Sequence, residues 1–308
     1  MAMAVSFMAC NHADSNKDSQ TKTDEQEAVL QMNGPVQMPK APVQMTAPQM
    51  SAQFEDDNVS RPAPGAPGSP QNPLKFEEGK PLDLTQLFNG GKTMSMAERA
   101  AADIDSIQKK ANDGNIDYQY FYGVCFEQGW GVEQDYDKAL EWYHKAADHG
   151  QKNALGAIGS MYRLGRGVDV DGEAAANWFR KGADANDPNS MLCLGNCYYS
   201  GVGVSKDLTQ AFRWWQQAAD LGNGFAMSQL GDCYYGGLGT EKNLEKAVKY
   251  YKDAVAQDVG NAQYRLGVLS YYGTGVNQDK TYAELLLTKA KNQGVEQAVK
   301  FLEKNFNK

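Results

Sequence analysis

The sequence predicts an all-α fold, a solenoid of helix-turn-helix repeats that follows a disordered N-terminal region. Three observations predict it. A unit of 36 residues recurs five times without insertion between residues 115 and 294, and apolar side chains inside each unit follow helical spacing. The residues that precede the repeats contain many prolines and few large apolar side chains other than methionine. A repeat period of this length is typical of helical solenoids, in which each unit must stack on its neighbours to cover its apolar faces.

The repeat is uniform at four of its 36 positions. Glycine occupies repeat positions 9, 15 and 17 in every unit, and alanine occupies position 25 in every unit. Chance does not give four such columns at one spacing. The units span residues 115–150, 151–186, 187–222, 223–258 and 259–294.

Each unit is predicted to contain two helices. In the first helix, positions 4, 8, 11 and 12 form one apolar face, and glycine at position 9 lets two helices approach closely. Glycine at position 15 suits the left-handed conformation that ends a helix. Aspartate or asparagine at position 21 then caps the second helix, whose buried stripe is expected at positions 25, 28, 29 and 32. If Trp214 at position 28 is buried, its replacement by alanine should cost about 3–5 kcal/mol.

Two further helices are predicted to cover the ends of the repeat array. Residues 93–114 form an N-capping helix, which begins at Ser95 because Ser95 and Glu98 fit a capping box. Residues 295–308 form a C-terminal capping helix, which presents Val299 and Leu302 to the fifth unit.

The N-terminal region is predicted to be a tether with a membrane anchor. Residues 11–92 are rich in proline, glutamine and methionine, and they lack the bulky apolar surface that would offset chain entropy. The Val-Gln-Met triplets within 28–53 are alternatively short docking segments. Residues 1–10 resemble a truncated bacterial lipoprotein signal in which Cys10 receives the lipid, which predicts a place in the cell envelope. The alternative is a cytoplasmic protein with an unstructured apolar start.

The repeat positions resemble the Sel-one-like repeat family, a branch of the tetratricopeptide-type solenoids. The resemblance covers residues 115–294 and implies a right-handed superhelix whose concave face serves as an adaptor for other proteins. The fifth unit departs most, since Leu286 and Leu287 replace its aromatic pair. The matching motifs of the first unit are Tyr122-Gly123, Gly129-Trp130-Gly131-Val132, Lys138-Ala139, Trp142-Tyr143 and Ala146-Ala147.

The composition gives no support to several other functions. A net charge of −8 disfavours nucleic acid as a partner, because phosphate binding needs clustered lysine and arginine. The three histidines show no zinc-ligand spacing, the glycines do not form a dinucleotide-binding fingerprint, and no nucleophile motif is present. We therefore expect no metal, no cofactor and no enzyme activity.

The alternative is an envelope hydrolase acting on β-lactam or peptidoglycan-like substrates, an activity linked to a cysteine-rich branch of the same family. That branch places a disulfide pair in every unit, whereas the second and fifth units here contain no cysteine.

A second stripe along the first helices is the predicted binding surface for a protein or peptide partner. It consists of repeat positions 6, 10 and 13, and we call it the first-helix stripe. It mixes aromatic with polar groups, as binding surfaces often do. The open alternative is that Tyr199, Tyr235 and Tyr271 pack between adjacent units and leave their hydroxyls in water. Its candidate binding residues are Tyr120, Glu127, Arg163, Asn196, Tyr199, Asp232, Tyr235, Tyr264 and Tyr271.

Overall fold

The computed structural model describes residues 96–306, which form twelve α-helices and contain no strand. The predicted signal at residues 1–10, the lipid site at Cys10 and the tether at residues 11–92 lie outside the described residues. The helices are α1 Met96–Asn112, α2 Ile116–Gln128, α3 Tyr136–Asp148, α4 Lys152–Leu164, α5 Gly172–Asp184, α6 Pro188–Ser200, α7 Leu208–Asp220, α8 Gly224–Gly236, α9 Leu244–Ala256, α10 Gly260–Tyr272, α11 Lys280–Asn292 and α12 Glu296–Asn305.

This architecture confirms the predicted all-α solenoid, because each repeat contributes one helix pair between α2 and α11. The described residues belong to two compact units, 96–227 and 228–306. Within residues 96–227, successive helices pack against one another from α1 to α7. Within residues 228–306, α9 packs on α10, α10 on α11 and α11 on α12.

The helix ends follow the predicted capping residues. At position 21, the side chains of Asp135, Asp171, Asp207, Asn243 and Asp279 each accept a hydrogen bond from a backbone N–H of the second helix. These bonds satisfy donors that a helix start otherwise leaves without a partner. Glycine at position 15 adopts the left-handed conformation after α2, α4, α6 and α10, and its N–H bonds back to the helix. The chain therefore reverses at the same place in each of these units.

Glycine at position 9 makes room for the side chain at position 29 of the partner helix. A Cβ atom on Gly123 would lie 2.7 Å from the ring of Tyr143, and one on Gly195 would lie 2.6 Å from the ring of Trp215. Trp215 is only 2% exposed, whereas its neighbour Trp214 is half-buried. The tryptophans at position 28, which were expected in the buried stripe together with position 29, are therefore less deeply buried, because the ring that lies over the glycine belongs to position 29.

The two end helices bury one face each. In α1, Ala100, Ile107 and Ala111 join the core of residues 96–227. In α12, Ala298, Phe301 and Leu302 are buried. Val299, which the sequence analysis assigned to this contact, is half-buried. The buried face of α12 therefore includes Leu302 of the expected pair, and Ala298 and Phe301 rather than Val299 complete it at spacings of three and four residues.

Candidate partner-binding surface

The nine candidate residues of the first-helix stripe lie in different environments. Tyr235 and Tyr264 are buried, at 6% and 4% exposure, so their rings are parts of the core of residues 228–306. The ring of Tyr271 is half-buried and contacts the rings of Phe301 and Phe306 at centroid distances of 5.3 and 5.4 Å. The rings of these three tyrosines are thus largely covered by other parts of residues 228–306.

Glu127 joins two adjacent repeats through an ion pair. Its Oε1 lies 2.7 Å from Nη1 of Arg166, and its Oε2 accepts a hydrogen bond of 2.6 Å from the hydroxyl of Tyr143. The Glu127 side chain is 12% exposed. The pKa of the Tyr143 hydroxyl is raised well above its usual value, mainly by burial and to a smaller extent by the nearby Glu127 carboxylate. This hydroxyl therefore stays protonated and remains a donor. Glu127 is thus held by contacts within the chain.

Asp232 has the equivalent role in residues 228–306. Its Oδ1 lies 2.9 Å from Nε of Arg265, and it accepts a hydrogen bond of 2.7 Å from the hydroxyl of Tyr251. Both side chains of the ion pair are nearly buried, with Arg265 11% and Asp232 12% exposed. This carboxylate also links two adjacent repeats.

Asn196 completes the pattern in the third repeat, where its Oδ1 accepts a hydrogen bond of 3.1 Å from Nε1 of Trp215. In the three repeats whose position 29 carries a polar tip, namely Tyr143, Trp215 and Tyr251, position 10 or 13 supplies an acceptor. In the other two repeats position 29 is Phe179 or Leu287, which has no polar tip. Spacing along one helix does not reveal this pairing, which becomes visible in the sequence only when positions 10, 13 and 29 are compared across the repeats.

The remaining candidates lie in residues 96–227 and are half-buried. They are Tyr120 on α2, Arg163 on α4 and Tyr199 on α6. The ring of Tyr120 contacts the ring of Tyr143 at 5.6 Å, and burial raises the pKa of its hydroxyl far above the usual value. The ring of Tyr199 contacts that of Trp215 at 5.6 Å, and Nζ of Lys206 lies 5.7 Å from its centroid. In this part of the stripe the Tyr120 hydroxyl is buried, whereas the Arg163 and Tyr199 side chains stay partly exposed.

The Sel1 repeat family model matches five consecutive segments of the chain, residues 116–151, 153–187, 188–223, 224–259 and 260–295. The chain belongs to the Sel1 repeat family. Sel1 repeat proteins are generally scaffolds for interactions between proteins, and most of them are not catalytic. The resemblance drawn from the repeat positions is thereby confirmed.

Two solved Sel1-type structures are similar to this chain. A Sel1 repeat protein from Oxalobacter formigenes is 32% identical with a TM-score of 0.63, and the match covers 69% of this chain and 85% of that chain. A protective antigen of uropathogenic Escherichia coli strains, which displays an SLR fold, is 33% identical with a TM-score of 0.56. That match covers 70% of this chain and 45% of the antigen. A comparison with curated proteins found no match.

The cysteines of these Sel1 repeats are free thiols. Burial raises the pKa of Cys125 to about 12 and that of Cys197 to about 11, so both thiols stay protonated near neutral pH. A protonated thiol is a poor nucleophile and a poor metal ligand. No group of three histidine, cysteine, aspartate or glutamate side chains within residues 96–306 could hold a metal ion. In the same range, none of the helices has both the length and the apolar character required to cross a bilayer.

Proposed function

We propose that this chain is a non-catalytic scaffold that holds a protein or peptide partner on the first-helix stripe of residues 96–227. The observation that supports it is a contrast between repeat positions. Positions 9 and 25, which carry the packing, are identical in all five repeats, whereas position 13 changes from Glu127 to Arg163 to Tyr199 along the first three. Glu127 is held by contacts within the chain, so the proposal rests on Arg163 and Tyr199, whose side chains are half-buried.

The chemistry of the proposed surface fits a partner with mixed character. Arg163 is half-buried and offers a planar set of donors that suits a carboxylate, while the ring of Tyr199 offers apolar area at low entropic cost. Val124 and Ser160, at position 10 of the first and second repeats, are also half-buried. Arginine and tyrosine are enriched among the residues that dominate binding energy at protein interfaces.

The test compares two full-length double variants. In the binding variant, Arg163→Glu is combined with Tyr199→Ala. In the control, Arg213→Glu is combined with Tyr282→Ala, which makes the same chemical changes at exposed sites on the second helices α7 and α11. A partner is first captured by crosslinking to the native chain and identified by mass spectrometry, and its affinity for each purified protein is then measured by calorimetry.

We expect the binding variant to lose at least about tenfold in affinity, because interface arginine and tyrosine side chains commonly contribute more than 1.4 kcal/mol. The control should bind like the native chain, and circular dichroism should show equal helix content in all three proteins. Equal affinity of the two variants, with both folded, would refute the proposed surface.

The proposed setting is the bacterial cell envelope, with attachment through a lipid at Cys10. The sequence supports it, since Cys10 follows a short apolar stretch and is followed at once by polar residues. Labelling cells with radioactive palmitate should mark the native chain and leave Cys10→Ser unmarked. Unlabelled native protein would contradict the anchor and would leave the scaffold proposal intact.

A further inference from the structure

A row of half-buried aromatic rings follows the repeats within residues 96–227, on a surface distinct from the first-helix stripe. We call it the aromatic row. It consists of the residues at position 28 of the first three repeats, on the second helix of each, and the residues at position 12 of the second and third repeats, on the first helix of each. Each tryptophan of the row precedes a fully buried position 29 residue, such as Phe179 or Trp215. The members of the row are Trp142, Tyr162, Trp178, Tyr198 and Trp214.

Contacts between neighbouring repeats make the aromatic row continuous. The ring of His144, two residues after Trp142, lies 5.3 Å from the ring of Trp178. Arg180, two residues after Trp178, donates a hydrogen bond of 3.1 Å to the hydroxyl of Tyr198. The residues two positions after Trp142 and Trp178 therefore each contact a ring of the row in the next repeat. Lysine ammonium groups lie over one face of two rings, with Nζ of Lys145 4.1 Å from the centroid of Trp142 and Nζ of Lys181 3.8 Å from that of Trp178.

One segment of this chain has the matching periodicity. Between residues 61 and 73, proline recurs at every third residue, at Pro64, Pro67, Pro70 and Pro73. A polyproline II helix has three residues per turn and rises about 3.1 Å per residue, so these prolines would lie along one edge, about 9 Å apart. Because proline fixes its own φ near the polyproline II value, the entropy lost on docking in that form is reduced.

The spacing of this edge is close to that of the helices. Helices α4 and α6, which carry Tyr162 and Tyr198, pack side by side, and packed helices lie about 8–10 Å apart. A proline edge laid across the repeats would therefore meet one ring for each turn. Docking of prolines onto aromatic side chains is an established way in which extended peptides bind.

The connection to α1 is long enough for docking within one molecule. Residues 74–95 separate Pro73 from the start of α1 at Met96. These 22 residues span at most about 75 Å when fully extended, which exceeds the width of a few packed helices. A tether of this kind also raises the local concentration of the segment to the millimolar range, so that a weak contact suffices.

We propose that the aromatic row binds the proline-repeat segment 61–73 of the same chain, in an extended polyproline II conformation. The inference is independent of the proposed partner surface, because it uses positions 12 and 28 rather than positions 6, 10 and 13.

The test uses the full-length chain labelled with 5-fluorotryptophan and followed by fluorine NMR. The five tryptophan resonances are assigned by single Trp→Phe substitutions. In one variant, Pro64, Pro67, Pro70 and Pro73 all become alanine. In a second variant, Pro67 exchanges places with Gly68 and Pro70 with Ser69, which preserves composition and leaves no more than two prolines on any one edge.

Both variants should move the resonances of Trp142, Trp178 and Trp214, while the buried Trp215 serves as the unmoved reference. A synthetic peptide of residues 61–73, added to the alanine variant, should return the three resonances to their native positions. Adding Trp178→Ala to that variant should weaken this peptide at least about tenfold, whereas Leu221→Ala, exposed and off the row, should leave its affinity unchanged.

Three results would overturn the proposal. The first is identical row resonances in the native chain and both proline variants. The second is a native spectrum that depends on protein concentration, which would mean that a second copy supplies the segment. The third is a peptide with exchanged prolines that restores the native resonances as well as the unaltered peptide does.

Discussion

At the scale of single residues, the glycines at repeat positions 17 and 36 differ in what surrounds them. Gly203 at position 17 and Gly222 at position 36 both have positive φ, at 70° and 87°. A Cβ atom on Gly203 would overlap the backbone carbonyl of Gly172 in the preceding repeat, whereas nothing lies within 4 Å of a Cβ on Gly222. At position 17, glycine is required both by its positive φ and by the close approach of the preceding repeat. At position 36, it is required by the positive φ alone.

This difference predicts unequal costs for the same substitution. Gly222→Ala should lower the free energy of unfolding by about 1 kcal/mol, from backbone strain alone. Gly203→Ala should cost about 3 kcal/mol or more, because the alanine also forces two backbone segments apart. Urea unfolding of both variants measures the difference. Equal midpoints would show that Gly203 and Gly172 do not pack closely.

Asp187 predicts a pH-dependent change in stability. Asp187 caps α6 and is only 2% exposed. Burial raises the pKa of its carboxyl above the usual value and outweighs the hydrogen bonds from Ser190 and Asn189, which act in the opposite direction. A carboxyl whose pKa is higher in the folded state stabilises the fold below its unfolded pKa, and that contribution is lost as the pH rises through the folded value. At neutral pH the buried carboxylate is therefore a net cost.

Asp187→Asn should raise the free energy of unfolding at pH 7, because asparagine keeps the N-cap oxygen without the buried charge. Asn223 caps α8 in this way at the same repeat position, through a hydrogen bond from the Ala226 N–H. The advantage of the variant should shrink as the pH falls toward 4, where the native carboxyl becomes protonated. Asp171→Asn, at an exposed cap, provides the control, and a gain at Asp187 that persists unchanged at low pH would argue against this account.

At the scale of helices, burial distinguishes the two adjacent tryptophans of α7. Trp215 is 2% exposed, lies over Gly195 and donates to Asn196, so Trp215→Ala should cost about 3–5 kcal/mol. Trp214 is half-buried, and Trp214→Ala should cost about half as much or less. Thermal and urea unfolding of the two variants tests the order, and a greater loss for Trp214 would reverse the assignment of the inner ring.

The helices and their caps were predictable because the repeat reports each feature five times. Glycine at position 15 and aspartate or asparagine at position 21 mark helix ends through backbone geometry, which is local in sequence. Which of two adjacent aromatics lies inward was not predictable, since positions 28 and 29 both fit an amphipathic stripe. The burial of Tyr235 and Tyr264 was likewise hidden, because it depends on contacts between repeats rather than on spacing within one helix.

The first-helix stripe illustrates the same limit for function. Glu127, Asn196 and Asp232 resemble binding residues in the sequence because they are polar groups on an otherwise aromatic stripe. In the structure, each accepts a hydrogen bond from the side chain at position 29 of its own repeat. Spacing along one helix identifies a face, but only the facing helix determines whether a polar group on it is already satisfied.

At the scale of the whole molecule, a repeat array is stabilised by contacts between neighbours, because each unit touches only the adjacent ones. Two carboxylates serve this purpose inside their compact units. Glu127 of the first repeat pairs with Arg166 of the second, and Asp232 of the fourth pairs with Arg265 of the fifth. Removing one partner leaves a poorly solvated charge, so such pairs contribute more to cooperativity between repeats than exposed pairs do.

A double-mutant cycle with Glu127→Gln and Arg166→Gln should therefore give a coupling energy of about 1–2 kcal/mol. The control is the pair of Glu141 and Lys145, which lie 2.7 Å apart within α3 with exposures of 61% and 43%. That exposed pair should give only about 0.3–0.5 kcal/mol and should lose it in 1 M salt, whereas the partly buried pair should retain most of its coupling. Because the Tyr143 hydroxyl also donates to Glu127, Tyr143→Phe should reduce the coupling without abolishing it. Equal coupling at both pairs would mean that the Glu127 carboxylate is solvated in solution and does not join the two repeats.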